Sequence, residues 1–198
     1  YSFFVLYANI DSFVPDGKHK ISDTKNLLDR WMISEMNLLI KEVDGRLASY
    51  DIYSSAKSIE SFIDNLSNWY IRRSRRRFWK SESDSDKKEA YETLHYVLVT
   101  LAKLMAPFTP FIAEEIYTNL TSPQPSPYKG EGEEPSLLQG EGATATAGAD
   151  EVDSVHLEDF PMADEKLIDE KLNAEMARVR EIITQGLQLR ASAKIKVR

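Results

Sequence analysis

The fold is decided by one long amphipathic stretch, "IYSSAKSIESFIDNLSNWYIRRSRRRFWK" (residues 52–80). Its apolar residues recur every three or four positions for about five turns, with no glycine or proline between them. These apolar residues are Ile52, Ala56, Ile59, Ile63, Leu66 and Tyr70. Asp51 precedes them and is of a residue type that caps helix N-termini. The pattern predicts one helix that continues into the arginine-rich end.

Five other segments have the same helical spacing: residues 1–13, 23–47, 86–106, 110–120 and 164–183. Their predicted N-terminal caps are Ser22 or Asp23, Asp86 in a capping box with Glu89, Thr109 before Pro110, and Asp164. "VHLEDFP" (155–161) is typical of a short extended piece, and "SAKIKVR" (192–198) alternates like a strand. The chain is therefore predicted to be an all-α helical bundle.

A Pro/Gly/Glu-rich insertion divides the chain. Residues 122–151 contain almost no large apolar side chains, so we expect this insertion to be disordered. The predicted organisation is a helical bundle (1–121), the insertion (122–151), and an extended segment with a long helix that complete the bundle and begin the next region (152–198).

The net charge of −7 comes from the insertion and the few residues after it, because residues 122–160 hold nine acids and one base. The remainder is close to neutral and contains one basic island.

Several classes of function are excluded or unsupported. There is no cysteine, and the three histidines have no metal-ligand spacing, so a metal site is not expected. The apolar start has no basic leader and is interrupted by Asn9 and Asp11, so it is interpreted as neither a signal peptide nor a membrane span. Phosphate-binding glycine loops and nucleophile motifs are absent. We therefore predict no active site and no membrane partner, and interpret the chain as a piece of a larger protein.

The basic island is the arginine segment, residues 72–80, in which five arginines fall within six residues. Neighbouring arginines one turn apart repel each other, which is tolerated when something anionic lies opposite. Arg72, Arg76 and Lys80 form a row with about 6 Å between rungs, a spacing suited to RNA phosphates. When the row of apolar residues of this helix is continued in steps of three and four residues, it reaches Arg73 and Arg77. These two are expected to face the bundle and pair with acids such as Glu35, Asp44 or Glu114.

The two tryptophans that flank the segment have two possible roles. They can pack against the bundle, or stack on bases or on nearby arginines. The candidate nucleic-acid-binding residues are Trp69, Arg72, Arg73, Arg75, Arg76, Arg77, Trp79 and Lys80.

Five stretches together resemble the C-terminal anticodon-binding region of the isoleucyl-tRNA synthetase family. They are "LLDRWMISEMNLLIKEV" (27–43), "NWYIRRSRRRFW" (68–79), "LAKLMAPFTPFIAEEIYTNL" (101–120), "SVHLEDFP" (154–161) and "AKIKVR" (193–198). The resemblance covers nearly everything except the insertion, and the arginine run is its most specific part.

The resemblance implies a cytoplasmic class I aminoacyl-tRNA synthetase that uses ATP with magnesium to charge tRNA(Ile) with isoleucine. It also implies that this piece binds the anticodon stem-loop side of the tRNA and works with the catalytic domain of the same polypeptide. The piece itself is expected to need no cofactor and to catalyse nothing alone. The alternative is a helical interaction or scaffolding domain whose arginines bind acidic partners or the domain's own acids.

Overall fold

The chain folds into helices, and no strand occurs in the residues that the computed structural model describes, which are 1–15, 20–80, 84–121 and 154–194. The α-helices are α1 (Ser2–Ile10), α2 (Leu27–Ala48), α3 (Ile52–Asn65), α4 (Arg72–Trp79), α5 (Asp84–Met105), α6 (Pro110–Thr121) and α7 (Glu170–Ser192). A π-helical turn (Leu66–Ile71) joins α3 to α4, and 3₁₀ turns occur at Ile21–Asp23, Val155–Leu157 and Glu165–Leu167. The predicted all-α class is confirmed.

The helix starts show which capping predictions hold. Asp51 accepts a hydrogen bond from the Ser54 N–H at 3.0 Å and caps α3, as predicted. The predicted caps Ser22 and Asp23 are wrong, because both lie in a 3₁₀ turn and Asn26 caps α2 instead.

Two other predicted caps are also wrong. Asp164 caps only the 3₁₀ turn Glu165–Leu167, and Asp169 caps α7 by accepting from the Leu172 N–H at 3.0 Å. Asp86 lies inside the first turn of α5, which begins at Asp84, so it does not open that helix.

The segment that follows residue 153 is held against α5 and α6. It forms a 3₁₀ turn at Val155–Leu157, where the sequence predicted an extended piece. Glu114 accepts from the Val155 N–H at 2.9 Å, and Glu158 accepts from the Tyr117 hydroxyl at 2.8 Å and from Lys103. The predicted disordered insertion and the strand-like end of the chain lie outside the described residues.

The core lies between α2, α5 and the continuous helix formed by α3, the π-helical turn and α4, which we call the α3–α4 helix. Helices α1 and α7 pack on the sides of this core. From α2 it contains Trp31, Met32, Met36 and Val43, all fully buried at helical intervals. Burial of large apolar side chains supplies most of the stability of such a bundle. Tyr91 of α5 lies in an aromatic cluster with Phe4, Phe13 and Phe78, which joins α1 and α4 to the core.

The directions in which the helices run determine at which end of the bundle the arginine segment lies. Near the start of α2, Asn26 contacts Asp86 at the start of α5, and farther along Asn37 contacts Tyr96, so these two helices run parallel. The α3–α4 helix returns after α2 in the opposite direction. The arginine segment therefore lies at the end of the bundle where α2 and α5 begin.

Candidate nucleic-acid interface

The arginine segment continues the α3 helix through the π-helical turn without a break in helical dihedral angles. Across this turn the buried positions fall every four residues: Phe62, Leu66, Tyr70, Ser74 and Phe78. A π-helical turn has i→i+5 hydrogen bonds and holds one more residue than an α-turn. The buried face is therefore displaced by one position, from Arg73 and Arg77 to Ser74 and Phe78.

Arg77 still faces inward, because it lies beside Phe78 at the edge of the buried face. Its two terminal nitrogens donate to both carboxylate oxygens of Asp29, at 2.7 and 2.8 Å. Its Nε and Nη2 donate to Asp86 at 2.9 and 2.7 Å. The guanidinium thus joins α4 to α2 and α5 through two bidentate pairs, which are among the strongest ion-pair geometries.

The expected inward position of Arg77 is therefore found, but its expected partners are wrong. Glu114 binds the backbone at Val155, and Asp44 is exposed. Glu35 is half-buried on α2, where burial raises its pKa and the charge of Arg180 opposes that rise.

Asp29 is fully buried and also accepts from the Tyr70 hydroxyl at 2.7 Å. Burial raises the pKa of Tyr70, and the negative charge of Asp29 raises it further, so the phenol stays protonated and donates. Burial alone would lower the pKa of Arg77, but its hydrogen bonds to Asp29 and Asp86 raise it well above its usual range. Three hydrogen bonds to Asp29 offset the desolvation of a buried carboxylate.

The other cations of the segment face solvent. Arg72, Arg73, Arg75, Arg76 and Lys80 are all exposed. Within the described ranges, no carboxylate forms an ion pair with any of these five. The expectation that Arg73 turns toward the bundle is wrong, because the π-helical turn moves it outward. We call these five residues the outward basic face.

The two tryptophans differ in exposure. Trp69 is partly buried against the core, and the Arg73 guanidinium lies over its ring, 4.5 Å from the centroid. Trp79, the last residue of α4, is 75% exposed. Packing therefore accounts for Trp69 and not for Trp79.

Comparison with known proteins identifies the family of the chain. The family model described as the anticodon-binding domain of tRNA ligase matches residues 29–198. The chain belongs to this anticodon-binding family.

Three relatives that are similar over the whole chain are named isoleucine–tRNA ligases. The chain is 48% identical over all 198 residues to an isoleucine–tRNA ligase of Dehalococcoides mccartyi (strain CBDB1). It is 40% identical to that of Bacillus thuringiensis (strain Al Hakam) and 39% identical to isoleucine–tRNA ligase 2 of Bacillus anthracis, again over its full length. It spans only 16–17% of the length of these relatives. The resemblance found from the sequence is confirmed.

The rest of this anticodon-binding domain shows no other chemistry in the part that the structure describes. No group of three or more histidine, cysteine or acidic side chains is placed to hold a metal ion there. None of the helices in the described ranges combines the length and apolar character needed to cross a membrane. A polar cleft of about 550 Å³ lies beside the start of α7, but its Arg30 is paired with Asp169 at 3.2 Å.

Sequence reasoning missed the carboxylates that hold the arginine segment of this anticodon-binding domain in place. Asp29 lies on the same face of α2 as the buried residues Met32, Met36 and Val43. An acid on an otherwise apolar helix face was the sequence signal that could have identified it. Asp86 was interpreted as a cap, although it binds Arg77.

Proposed function

We propose that the outward basic face binds tRNA on the side of the anticodon stem and loop. The family is an anticodon-binding one, and the relatives are named isoleucine–tRNA ligases, which supports tRNA(Ile) as the cognate RNA. The observation that carries the proposal is the separation within one segment: Arg77 is neutralised internally, whereas its neighbouring cations face solvent without a carboxylate partner among the described residues.

The contacts proposed are mainly to phosphates. Arginine and lysine side chains on a helix face position a protein on RNA, whereas base identity is read by groups that reach base edges. Arg72 and Arg76 lie one helical turn apart, about 6 Å along the axis, close to the spacing of neighbouring phosphates. The outward basic face therefore serves docking and orientation of the tRNA.

The whole protein is proposed to be a cytoplasmic isoleucine–tRNA ligase. Its catalytic domain, in the same polypeptide, would use ATP with magnesium to activate isoleucine and transfer it to tRNA(Ile). The 198 residues here contain no phosphate-binding glycine loop. We therefore assign the chemistry to that domain and tRNA positioning to this one.

The proposal is tested by titrating tRNA(Ile) against the chain at several salt concentrations. Three to five phosphate contacts predict that log K falls with log salt with a slope of about −2 to −4. Arg72→Gln with Arg76→Gln should weaken binding and make the slope shallower by about one for each phosphate-binding cation removed, with little change in melting temperature.

The matched control is Lys57→Gln, an exposed cation farther back on the same continuous helix. It removes one positive charge outside the outward basic face, against two in the double variant, and should leave the slope unchanged. A salt-independent interaction, or equal weakening by Lys57→Gln, would instead favour the alternative of a protein-interaction or scaffolding domain.

A further inference from the structure

Trp79 lies on the solvent-facing side of α4 and is 75% exposed. With about 100° per residue, it projects within about 20° of Arg72 and between Arg75 and Arg76. The buried residues Ser74 and Phe78 project about 140° and 100° away from Trp79. Trp79 is therefore inside the outward basic face and not at its margin.

The Trp79 ring is expected to lie toward these arginines. Helical side chains point back toward the N-terminus, so the indole covers the preceding turn, where Arg75 and Arg76 lie. Among the described residues no cation is positioned over the Trp79 ring, whereas Arg73 covers Trp69 and Arg180 covers Trp31. Trp79 thus offers an open aromatic face with cations on both sides.

We propose that Trp79 stacks on an unpaired base of the bound RNA, with Arg75 and Arg76 on the flanking phosphates. This inference rests on the proposed function and adds a second mode of contact to it. Every base has a π-face, so stacking on an indole adds affinity without requiring one sequence. A paired stem keeps its bases stacked inside the helix, so the partner of Trp79 is an unpaired nucleotide.

The charges around Trp79 favour RNA over an apolar protein surface as the occupant. Covering the indole with apolar groups would also desolvate Arg75 and Arg76, which have no carboxylate partner in the described part of the chain. Removing unpaired charges from water is costly. A nucleotide supplies both the flat ring and the neighbouring negative charges.

The test compares two RNA probes with three variants. The probes are the anticodon stem-loop of tRNA(Ile) and a fully paired RNA duplex of the same length. The variants are Trp79→Leu, which removes the ring, Trp79→Phe, which keeps one, and the control Tyr53→Leu. Tyr53 is 74% exposed, close to the 75% of Trp79, but lies in the first turn of α3 at the other end of the continuous helix.

Trp79→Leu should weaken stem-loop binding about five- to a hundredfold and leave duplex binding and the salt slope unchanged. Trp79→Phe should retain most of the affinity, and Tyr53→Leu should bind both probes like the unmodified chain. Tryptophan fluorescence should fall on stem-loop binding by the unmodified chain and change little for Trp79→Phe, because the remaining tryptophans are buried or covered.

The two proposals fail in different ways. If the unmodified chain binds neither probe in a salt-dependent manner, the proposed function itself is wrong. If it binds both but Trp79→Leu weakens stem-loop and duplex binding equally, or weakens neither, then only the stacking inference is overturned. All three substitutions are at exposed positions, so unchanged melting temperatures should exclude unfolding as the cause.

Discussion

At the scale of single residues, Arg77 differs from the other arginines of its segment because it is held by two carboxylates. Asp29 contributes a buried charge that, among the residues the structure describes, accepts its side-chain hydrogen bonds from Arg77 and Tyr70. Removing one partner of a buried ion pair leaves an uncompensated charge, which costs far more than the pair contributes. Asp29 and Arg77 therefore stabilise the fold beside the outward basic face.

We predict that Asp29→Asn lowers the free energy of unfolding by about 3 kcal/mol, the lower end for a broken buried pair, since the Arg77 guanidinium loses its buried counter-charge but keeps Asp86. The measurement is urea denaturation. Asp44→Asn is the control, because Asp44 is an exposed acid on the same helix. Its effect should stay within about 0.5 kcal/mol. A decrease below about 1 kcal/mol for Asp29→Asn would show that the buried pair is not needed for stability.

Glu158 is expected to make the folding stability of the chain depend on pH. Hydrogen bonds from Lys103 and Tyr117 lower the pKa of Glu158 from its ordinary value of 4.5. A lowered pKa in the folded state means that the contribution to stability is present above the unfolded pKa and is lost as pH falls through the folded one. We expect Glu158→Gln to lower the melting temperature at pH 7 by about 1–4 °C.

The difference between Glu158→Gln and the unmodified chain should close as the pH falls below about 4. Thermal melts from pH 3 to pH 7 measure it, with the exposed neighbour Asp159→Asn as the control. A difference that persisted unchanged at pH 3 would contradict a role for the ionised carboxylate.

At the scale of elements, the sequence predicts the helices better than their ends. The long apolar periods of α2, α3 and α5 identify these helices without ambiguity. Their caps are harder, because an aspartate near the start of a helix can bind the backbone or a side chain from elsewhere. Asp51 does the first and Asp86 does the second.

The π-helical turn explains the main error in the predicted site. One extra residue among Leu66–Ile71 changes which arginines face outward, yet apolar spacing of three and four residues fits either register. Periodicity alone therefore predicted the helix and its cationic end, while the direction of Arg73 needed the structure.

We predict that deletion of Ser67, an exposed residue in the π-helical turn, is tolerated. It converts the π-turn to an α-turn and leaves Tyr70, Ser74 and Arg77 on their present faces. Deletion of the exposed Ser61, inside α3, should instead rotate α3 relative to the arginine segment by about 100° and destabilise the chain strongly. Thermal melts of both deletions measure this. Equal damage from the two would mean that the turn does not absorb the extra residue.

At the scale of the whole molecule, a basic face operates on a chain whose net charge is −7. Six of the acids that oppose it lie in the insertion, residues 122–151, which holds only one base. Like charge on protein and RNA slows their encounter over distances up to about one Debye length, roughly 10 Å at 0.1 M salt. The insertion is therefore expected to weaken long-range attraction to RNA, whereas the contacts proposed for the outward basic face act at short range.

We predict that changing these six acids to their amides, which moves the net charge from −7 to −1, speeds association with tRNA several-fold at about 50 mM salt. Near 500 mM salt the unmodified and amide chains should associate at the same rate, because screening removes the long-range term. Stopped-flow mixing measures both. Dissociation should be unaffected, since the insertion lies outside the outward basic face in sequence and the interactions at that face are unchanged. A difference in dissociation that survived high salt would instead place the insertion in direct contact with the RNA.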